Sequence, residues 1–188
     1  MASCSSCSLA APNGLQVLAL HHGIDGAGAL RDLDMARIRR IMAINGTAVA
    51  TLIKTFLPAL LRGAPSAVVL VSSQAGIKAE PFNTAYCAAK FGVTGLVHGL
   101  ADVLTRDGVR IHVLYSGCTD TPLLTAAFQG FARGSGETAD FYRRERTAKI
   151  PMQRLDSPAQ VGAATVYLAQ LEATTGLVLA PTGAETLT

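Results

Sequence analysis

The sequence contains no tryptophan and carries little charge. Aromatic residues make up 5% and charged residues 15% of the 188 residues, and the net charge is +3. The basic residues are scattered, apart from Arg37, Arg39 and Arg40 and the stretch Arg143–Arg146, which we interpret as solvated helix faces. Because no concentrated basic patch stands out, the sequence predicts no nucleic-acid partner.

Long apolar runs and a secretory leader are also lacking. No uninterrupted apolar run has the length needed to span a bilayer, and the first residues lack the basic and apolar regions of a signal peptide. We therefore expect a cytoplasmic protein without membrane association, in which Cys87 and Cys118 are free thiols inside structural elements. Cys4 and Cys7 are not accompanied by a second ligand pair, so we predict no metal site and a flexible terminus over residues 1–13.

Hydrophobic residues make up 49% of the chain and fall into short runs that alternate with helical patterns. Strands are predicted at 15–20, 67–72, 109–115 and 176–180. A short helix capped by Asp32 or Asp34 is predicted to end near Ala43, and further helices are predicted at 47–61, 84–105, 122–131, 138–149 and 158–171. Continuous apolar strands separated by helices are typical of an α/β fold, here one domain with a doubly wound parallel sheet of about four strands and flanking helices.

Three of the side chains that can carry chemistry converge in this arrangement. Tyr86 and Lys90 are four residues apart on a predicted helix and share one face. A cation beside a phenol favours the phenolate, so we expect Lys90 to lower the Tyr86 pKa and make its proton exchangeable. Ser73 follows the strand at 67–72, at the end where open α/β sheets bind ligands, and Asn45 heads the long helix before that strand.

At these positions the sequence resembles the short-chain dehydrogenase/reductase family. The matching segments follow the family's order and spacing over roughly residues 15–185. They are IMAINGTAVA (41–50), AVVLVSSQAG (67–76), AYCAAKFGVTGL (85–96), VRIHVLYSGCTDTP (109–122) and TGLVLAPTGAE (175–185).

The resemblance implies that Asn45, Ser73, Tyr86 and Lys90 form a catalytic tetrad. Tyr86 would be the general acid/base, and Ser73 would orient the substrate carbonyl. Lys90 would lower the Tyr86 pKa and hold the nicotinamide ribose, and Asn45 would hold a water that relays protons to Lys90.

The resemblance also implies a nicotinamide cofactor, NAD or NADP. Gly117, Thr119 and Thr121 match the segment that contacts the nicotinamide carboxamide, and Gly23 matches the loop that faces the cofactor. Tyr86 and Lys90 would contact the cofactor as well.

The sequence departs from the family at its start. Neither GxxxGxG nor GxGxxG is present there, and the glycines of 23–28 follow a strand that resembles the family's fourth. We therefore expect a truncated, Rossmann-like sheet lacking the N-terminal half that binds the cofactor phosphates, with Leu15–Leu20 as an exposed apolar edge strand. His21 and His22 stand where amides normally face the cofactor; they are either new acid/base groups or ordinary loop histidines.

Three functions remain open at this point. The first is a nicotinamide-dependent oxidoreductase that interconverts a carbonyl and a hydroxyl. The second is a cofactor-independent isomerase, dehydratase or cyclase that uses Tyr86 for proton transfer. The third is a binding or scaffold protein without catalysis.

Two further segments concern substrates and partners. The segment 122–155 resembles the family's substrate lid, and its apolar side chains suggest an apolar or aromatic small molecule, although helix packing explains them equally. These side chains are Leu123, Leu124, Phe128, Phe131, Phe141, Tyr142 and Met152. The helices at 47–61 and 84–105 carry small residues that allow close contact with a second copy, as in relatives, or ordinary packing on the sheet.

Overall fold

The computed structural model describes residues 13–186, which contain a four-stranded parallel sheet. The strands lie in the order β1-β2-β3-β4, and their bounds are Val17–Leu20 (β1), Ser66–Ser73 (β2), Val109–Ser116 (β3) and Val178–Leu179 (β4). The prediction of an α/β fold with about four parallel strands is confirmed. Cys4, Cys7 and nearly all of the predicted flexible terminus lie outside the described residues.

Helices cover both faces of this sheet. The helices are α1 (Met35–Met42), α2 (Ala48–Arg62), α3 (Thr84–Arg106), α4 (Pro122–Ser135), α5 (Ala139–Lys149) and α6 (Pro158–Gln170). Along β2, Val68 and Leu70 face a core built with α2 and α3, whereas Val69 faces a smaller core under α6. Alternate residues of one buried strand thus fill two cores, as expected for a doubly wound sheet.

The first two helices are continuous rather than separate. Asp34 caps α1 by accepting a hydrogen bond from the Arg37 backbone, and a π-helical turn, Ala43–Thr47, joins α1 to α2. The prediction that Asn45 heads a new helix is therefore wrong: Asn45 lies inside the π turn and is fully buried. A π turn inserts one extra residue, which changes the direction in which the side chains point.

Two helices are long and apolar enough to cross a bilayer by length and composition alone. They are the continuous helix Met35–Arg62, with a mean hydropathy of 1.4, and Thr84–Arg106, with a mean hydropathy of 1.2. The expectation that no segment reaches this length is wrong by that measure. In the structure both helices pack their buried residues against the sheet.

The β1 edge of the sheet and the outer face of α3 agree only in part with the exposure expected from the sequence. Val17 on β1 is 44% exposed, but Leu18 and Leu20 are buried, and β1 pairs with no strand other than β2 among residues 13–186. On α3, a side chain added at Gly92 or Gly95 would meet nothing within 4 Å, so these glycines lie on the open face. The contact with a second copy stays a prediction.

Ser157 and Gln160 form a capping box at the start of α6. The Ser157 hydroxyl accepts from the Gln160 backbone, and the Gln160 side chain accepts from the Ser157 backbone. We expect Ser157→Ala to lower the free energy of unfolding by about 1 kcal/mol, because the Gln160 backbone N–H loses its side-chain acceptor. Urea unfolding measures this change; Ser157→Asp should restore most of it, and equal stability of all three proteins would contradict the assignment.

Candidate active site

Three of the four residues expected to form a tetrad meet at the carboxyl end of the sheet. Ser73 is the last residue of β2, and Tyr86 and Lys90 lie one turn apart near the start of α3. The Lys90 ammonium stands over the Tyr86 ring, 5.5 Å from its centroid. Both side chains therefore lie on the same face of the helix, as the spacing predicts.

Lys90 is a buried amine with few partners. It is 4% exposed, and Nζ donates one long hydrogen bond, 3.5 Å, to the Val71 carbonyl oxygen at the end of β2. Burial lowers the Lys90 pKa to about 8, because an ammonium removed from water is destabilised relative to the neutral amine. Two of its three donor positions remain available for a ligand.

Tyr86 differs from the sequence-based expectation. Its pKa is raised to about 12, chiefly by burial, with smaller contributions in the same direction from Glu80, Cys87 and Asp25. A hydrogen bond with Ser73 acts in the opposite direction, but Lys90 is not among the causes. The expected lowering of the Tyr86 pKa by Lys90 is therefore not found: the ammonium contacts the ring, and desolvation of the phenolate outweighs the hydrogen bond.

Asn45 has partners other than the one expected. Its Oδ1 accepts from the Ile24 backbone N–H at 3.0 Å, and its Nδ2 donates to the Ile24 carbonyl oxygen at 3.0 Å. The side chain thus fixes the loop after β1. A Cβ at Gly23 would lie 2.9 Å from Asn45 Oδ1 and 3.9 Å from Lys90 Nζ, so this loop approaches the site closely only because residue 23 has no side chain.

The two loop histidines point in different directions. His21 Nε2 lies 3.2 Å from Thr165 Oγ1 on α6, on the side of the sheet away from α3. His22 is closer to Lys90, which adds to the lowering of the His22 pKa by burial, and its Nε2 is buried without a hydrogen-bond partner among the described residues. His21 therefore belongs to the packing of α6, and His22 to the surroundings of Lys90.

A cleft with a cavity volume of about 120 Å³ opens in front of Ser73 and Tyr86. Gly117, Thr119 and Thr121 form part of its wall. A Cβ at Gly117 would lie 3.0 Å from Thr182 Cα and 3.2 Å from Asp156 Oδ2. The Thr121 hydroxyl caps α4, so the loop after β3 turns directly into the helix above the cleft.

The opposite wall of the cleft is apolar and comes from α4. Its side chains are Leu123, Leu124, Ala127, Phe128 and Phe131. Other members of the predicted lid lie elsewhere: Phe141 packs edge-on against Tyr142, and Met152 is 56% exposed. The lid prediction thus identified the wall on α4 but also included residues that serve helix packing.

Sequence reasoning missed a polar cluster beside Tyr86. Arg146, interpreted as part of a solvated face, lies in the wall of the cleft and pairs with Glu80 and Glu185. Asn83 also lines the cleft; it is 7% exposed, and its Oδ1 has no hydrogen-bond partner among the described residues. No local pattern predicts the pairing of Arg146 and Glu185 with Glu80, because these residues are far apart in sequence, whereas Asn83 lies only three residues before Tyr86.

Comparisons with known proteins agree with the geometry. A family model described as short chain dehydrogenase matches residues 8–130. Two relatives from Xanthobacter autotrophicus are 2-(S)-hydroxypropyl-CoM dehydrogenase 3, 30% identical over 78% of this chain and 55% of the relative, and a protein named inactive 2-(S)-hydroxypropyl-CoM dehydrogenase 2, 32% identical over 87% of this chain and 70% of the relative.

A solved structure has the same arrangement of elements. It is actinorhodin polyketide ketoreductase, F189W form, with NADPH, and it is 25% identical with a TM-score of 0.84. The match covers 92% of this chain and 67% of the ketoreductase chain. The chain spans between 55% and 66% of the length of the first curated relatives that it matches.

Proposed function

Because the chain belongs to the short chain dehydrogenase family, we propose that it carries the catalytic site of an oxidoreductase that interconverts a carbonyl and a hydroxyl with NAD or NADP. The observation that carries this proposal is the buried Lys90 over the Tyr86 ring, with Ser73 and Tyr86 together in the wall of one cleft. Relatives named dehydrogenases and a ketoreductase support the reaction class.

The residues present fit the nicotinamide end of such a cofactor. Lys90 is buried with donor capacity to spare, which suits the hydroxyls of a ribose. Gly117, Thr119 and Thr121 line the same cleft and would hold the carboxamide. When bound, the cofactor supplies or accepts the hydride. The glycines between β1 and α1, at 23, 26 and 28, do not have the GxGxxG or GxxxGxG spacing of a turn that binds a pyrophosphate.

Tyr86 acts in this proposal as the proton donor for carbonyl reduction. With a raised pKa, its Oη keeps the proton across the neutral range and can donate it to a substrate oxygen as negative charge develops there. Ser73 holds the same oxygen by a second hydrogen bond. In the reverse direction Tyr86 must first lose its proton, so alcohol oxidation is expected to rise with pH where reduction does not.

The cleft favours a substrate with an apolar body. Leu123, Leu124 and Phe128 would contact that body, and the free Oδ1 of Asn83 would accept from a donor group on the substrate. A small cyclic or aromatic ketone that also carries a hydroxyl or amine group meets these requirements. Since one relative is named inactive, membership of the family does not by itself establish catalysis.

A second candidate is a cofactor-independent isomerase, dehydratase or cyclase. One observation favours it: a protonated Tyr86 beside Ser73 forms a complete pair of hydrogen-bond donors without any cofactor. The same protonated pair serves reduction, so binding of nicotinamide decides between the two.

We expect the purified chain to bind NADH or NADPH saturably in the micromolar range, since buried donors at Lys90 stay available. Cofactor fluorescence and the shift in melting temperature measure this binding. Lys90→Met should weaken it, whereas Lys54→Met, at an exposed position on α2, should not. The absence of binding up to millimolar concentrations, together with Tyr86-dependent turnover of a carbonyl compound, would instead favour the second candidate.

A further inference from the structure

Four side chains beside the cleft form a closed ring of hydrogen bonds and ion pairs, called here the Arg146 ring. Arg146 Nη1 lies 2.7 Å from Glu185 Oε1 and 3.3 Å from Glu80 Oε1. Gln74 Nε2 closes the ring by donating to Glu80 Oε1 at 3.1 Å and to Glu185 Oε2 at 3.2 Å. The Gln74 oxygen in turn accepts from the Thr186 hydroxyl at 3.2 Å.

The ring joins parts of the chain that are far apart in sequence. Gln74 directly follows Ser73, Glu80 lies in the loop before α3, Arg146 is on α5, and Glu185 is in the segment after β4. Because each member comes from a different segment, the ring ties α5 and the segment 182–186 to the turn and helix that carry Ser73 and Tyr86.

The ring is shielded from water, so its contacts are stronger than surface ion pairs. Gln74 is 2% exposed, and the side chains of Glu185, Glu80 and Arg146 are 5%, 14% and 23% exposed. Two carboxylates share one guanidinium, and the Gln74 amide supplies the remaining donors. A buried charge that loses its partner is strongly destabilised, so removal of Arg146 would affect both carboxylates.

The ring also borders the reacting groups. Glu80, Gln74 and Arg146 line the cleft together with Ser73 and Tyr86. The charged groups that face Tyr86 are Glu80 and Asp25, of which Asp25 is paired with Arg37 on α1 at 3.2 Å. Lys90, on the same helix as Tyr86, lies over the aromatic side chain of Tyr86. Arg146 is thus the partner that offsets Glu80, as Arg37 offsets Asp25.

We propose that Arg146 is a positioning residue for the reaction: it docks α5 and the segment 182–186 against the turn that follows Ser73, and it partly offsets the charge of Glu80 beside Tyr86. The proposal rests on the function proposed above, since it concerns the same cleft. It assigns to Arg146 no contact with substrate or cofactor. It extends the site to a residue that no spacing in the sequence connects with Tyr86.

Cys118 provides a readout that does not depend on turnover. It is a buried free thiol in the wall of the cleft, and its pKa is raised to about 12 by burial, while Arg146 acts to lower it and Glu185 and Glu80 act to raise it. Loss of Arg146 would raise the Cys118 pKa further and so slow alkylation of the thiol. Detachment of α5 would instead expose the thiol and speed its alkylation.

The test compares Arg146→Met, Arg146→Lys and Glu185→Gln with Arg143→Met. Arg143 is the matched control, because it lies on the same helix and pairs with Asp120 in an exposed ion pair at 2.9 Å, of a kind that contributes little. Arg146→Lys is a suitable rescue variant, because a single nitrogen of Arg146 pairs with both carboxylates and the lysine ammonium can take that place. Glu185→Gln keeps the side-chain shape and serves if Arg146→Met does not fold.

We expect Arg146→Met to lower kcat/KM about 100-fold, as misplacement of reacting groups does, and to shift the alkaline limb of its pH profile upward because Glu80 is left uncompensated. Alkylation of Cys118, measured on its peptide by mass spectrometry, should become at least about tenfold faster through local opening. Arg146→Lys should restore most of kcat/KM and most of the protection of Cys118. Glu185→Gln should accelerate alkylation of Cys118 to a smaller extent. Arg143→Met should change neither kcat/KM nor the alkylation rate.

The outcomes separate this proposal from the proposed function. If the wild-type chain shows no nicotinamide-dependent turnover but Cys118 is deprotected by Arg146→Met, the ring docks α5 and the oxidoreductase function is wrong. If the wild-type chain turns over and Arg146→Met retains its rate, its pH profile and its Cys118 protection, the positioning role of Arg146 is overturned.

Discussion

Tyr86→Phe is expected to lower kcat for carbonyl reduction by roughly 10²–10⁴-fold, the range that a positioned general acid contributes. The substitution removes only the hydroxyl and leaves the ring under the Lys90 ammonium, whose distance to the ring centroid is 5.5 Å. Because the fold and the cation–π contact are retained, the loss reports on proton transfer. Steady-state kinetics with a saturating ketone and nicotinamide measures it.

The matched control for this substitution is Tyr167→Phe. Tyr167 lies on α6 and is 54% exposed, so removal of its hydroxyl should leave kcat unchanged. A Tyr86→Phe protein that keeps more than about a tenth of the wild-type kcat would exclude Tyr86 as the general acid. Circular dichroism of both variants establishes that the comparison is between folded proteins.

Lys90→Met should abolish nicotinamide-dependent turnover and yet stabilise the protein at neutral pH. Burial lowers the Lys90 pKa from its ordinary value of 10.5 to about 8, which corresponds to about 3 kcal/mol of unfavourable free energy for the charged form. Methionine has a similar length and no charge, so it fills the same space without that cost. Urea unfolding at pH 7 measures the gain.

The pH dependence of stability distinguishes this effect from ordinary repacking. The folded-state pKa of Lys90 is lowered, so between about pH 8 and 10.5 the unfolded chain binds more protons than the folded chain. The contribution of Lys90 to stability is therefore unfavourable below about pH 8, and this cost disappears as the pH rises through that window. The advantage of Lys90→Met should shrink accordingly.

Lys54→Met is the control, since Lys54 is exposed on α2 and its substitution should change stability little at any pH. A Lys90→Met protein that is less stable than the wild type at pH 7 would contradict the buried, weakly bonded state of the ammonium. A stabilised variant with full activity would contradict the role of Lys90 in the site.

Most of the fold could be predicted from local patterns. β2 has an uninterrupted apolar centre, β3 is rich in apolar and β-branched residues, and α3 and α6 have clear ends, so their bounds differ from prediction by only a residue or two. The π turn at Asn45 was not predicted, and the buried side chain of Asn45 bonds to Ile24, which lies 21 residues away. Local spacing gives no sign of such a contact.

The candidate site was predictable as a set of positions but not as an electrostatic environment. The spacing of Tyr86 and Lys90 correctly placed them on one helical face, yet the direction of the Tyr86 pKa shift depends on burial and on Glu80, neither of which spacing reveals. Arg146 and Glu185 are 39 residues apart, and their pairing requires the whole sheet and α5 to be in place.

Nicotinamide-dependent reduction of a panel of small cyclic and aromatic ketones by the wild-type chain tests the central claim most directly. A protonated Tyr86 beside Ser73 and Lys90 predicts consumption of NADH or NADPH with at least one ketone, at a rate nearly independent of pH from about 6 up to the Lys90 pKa of about 8. A folded chain that consumes neither with any ketone, or whose rate requires deprotonation of a group in this range, would contradict it.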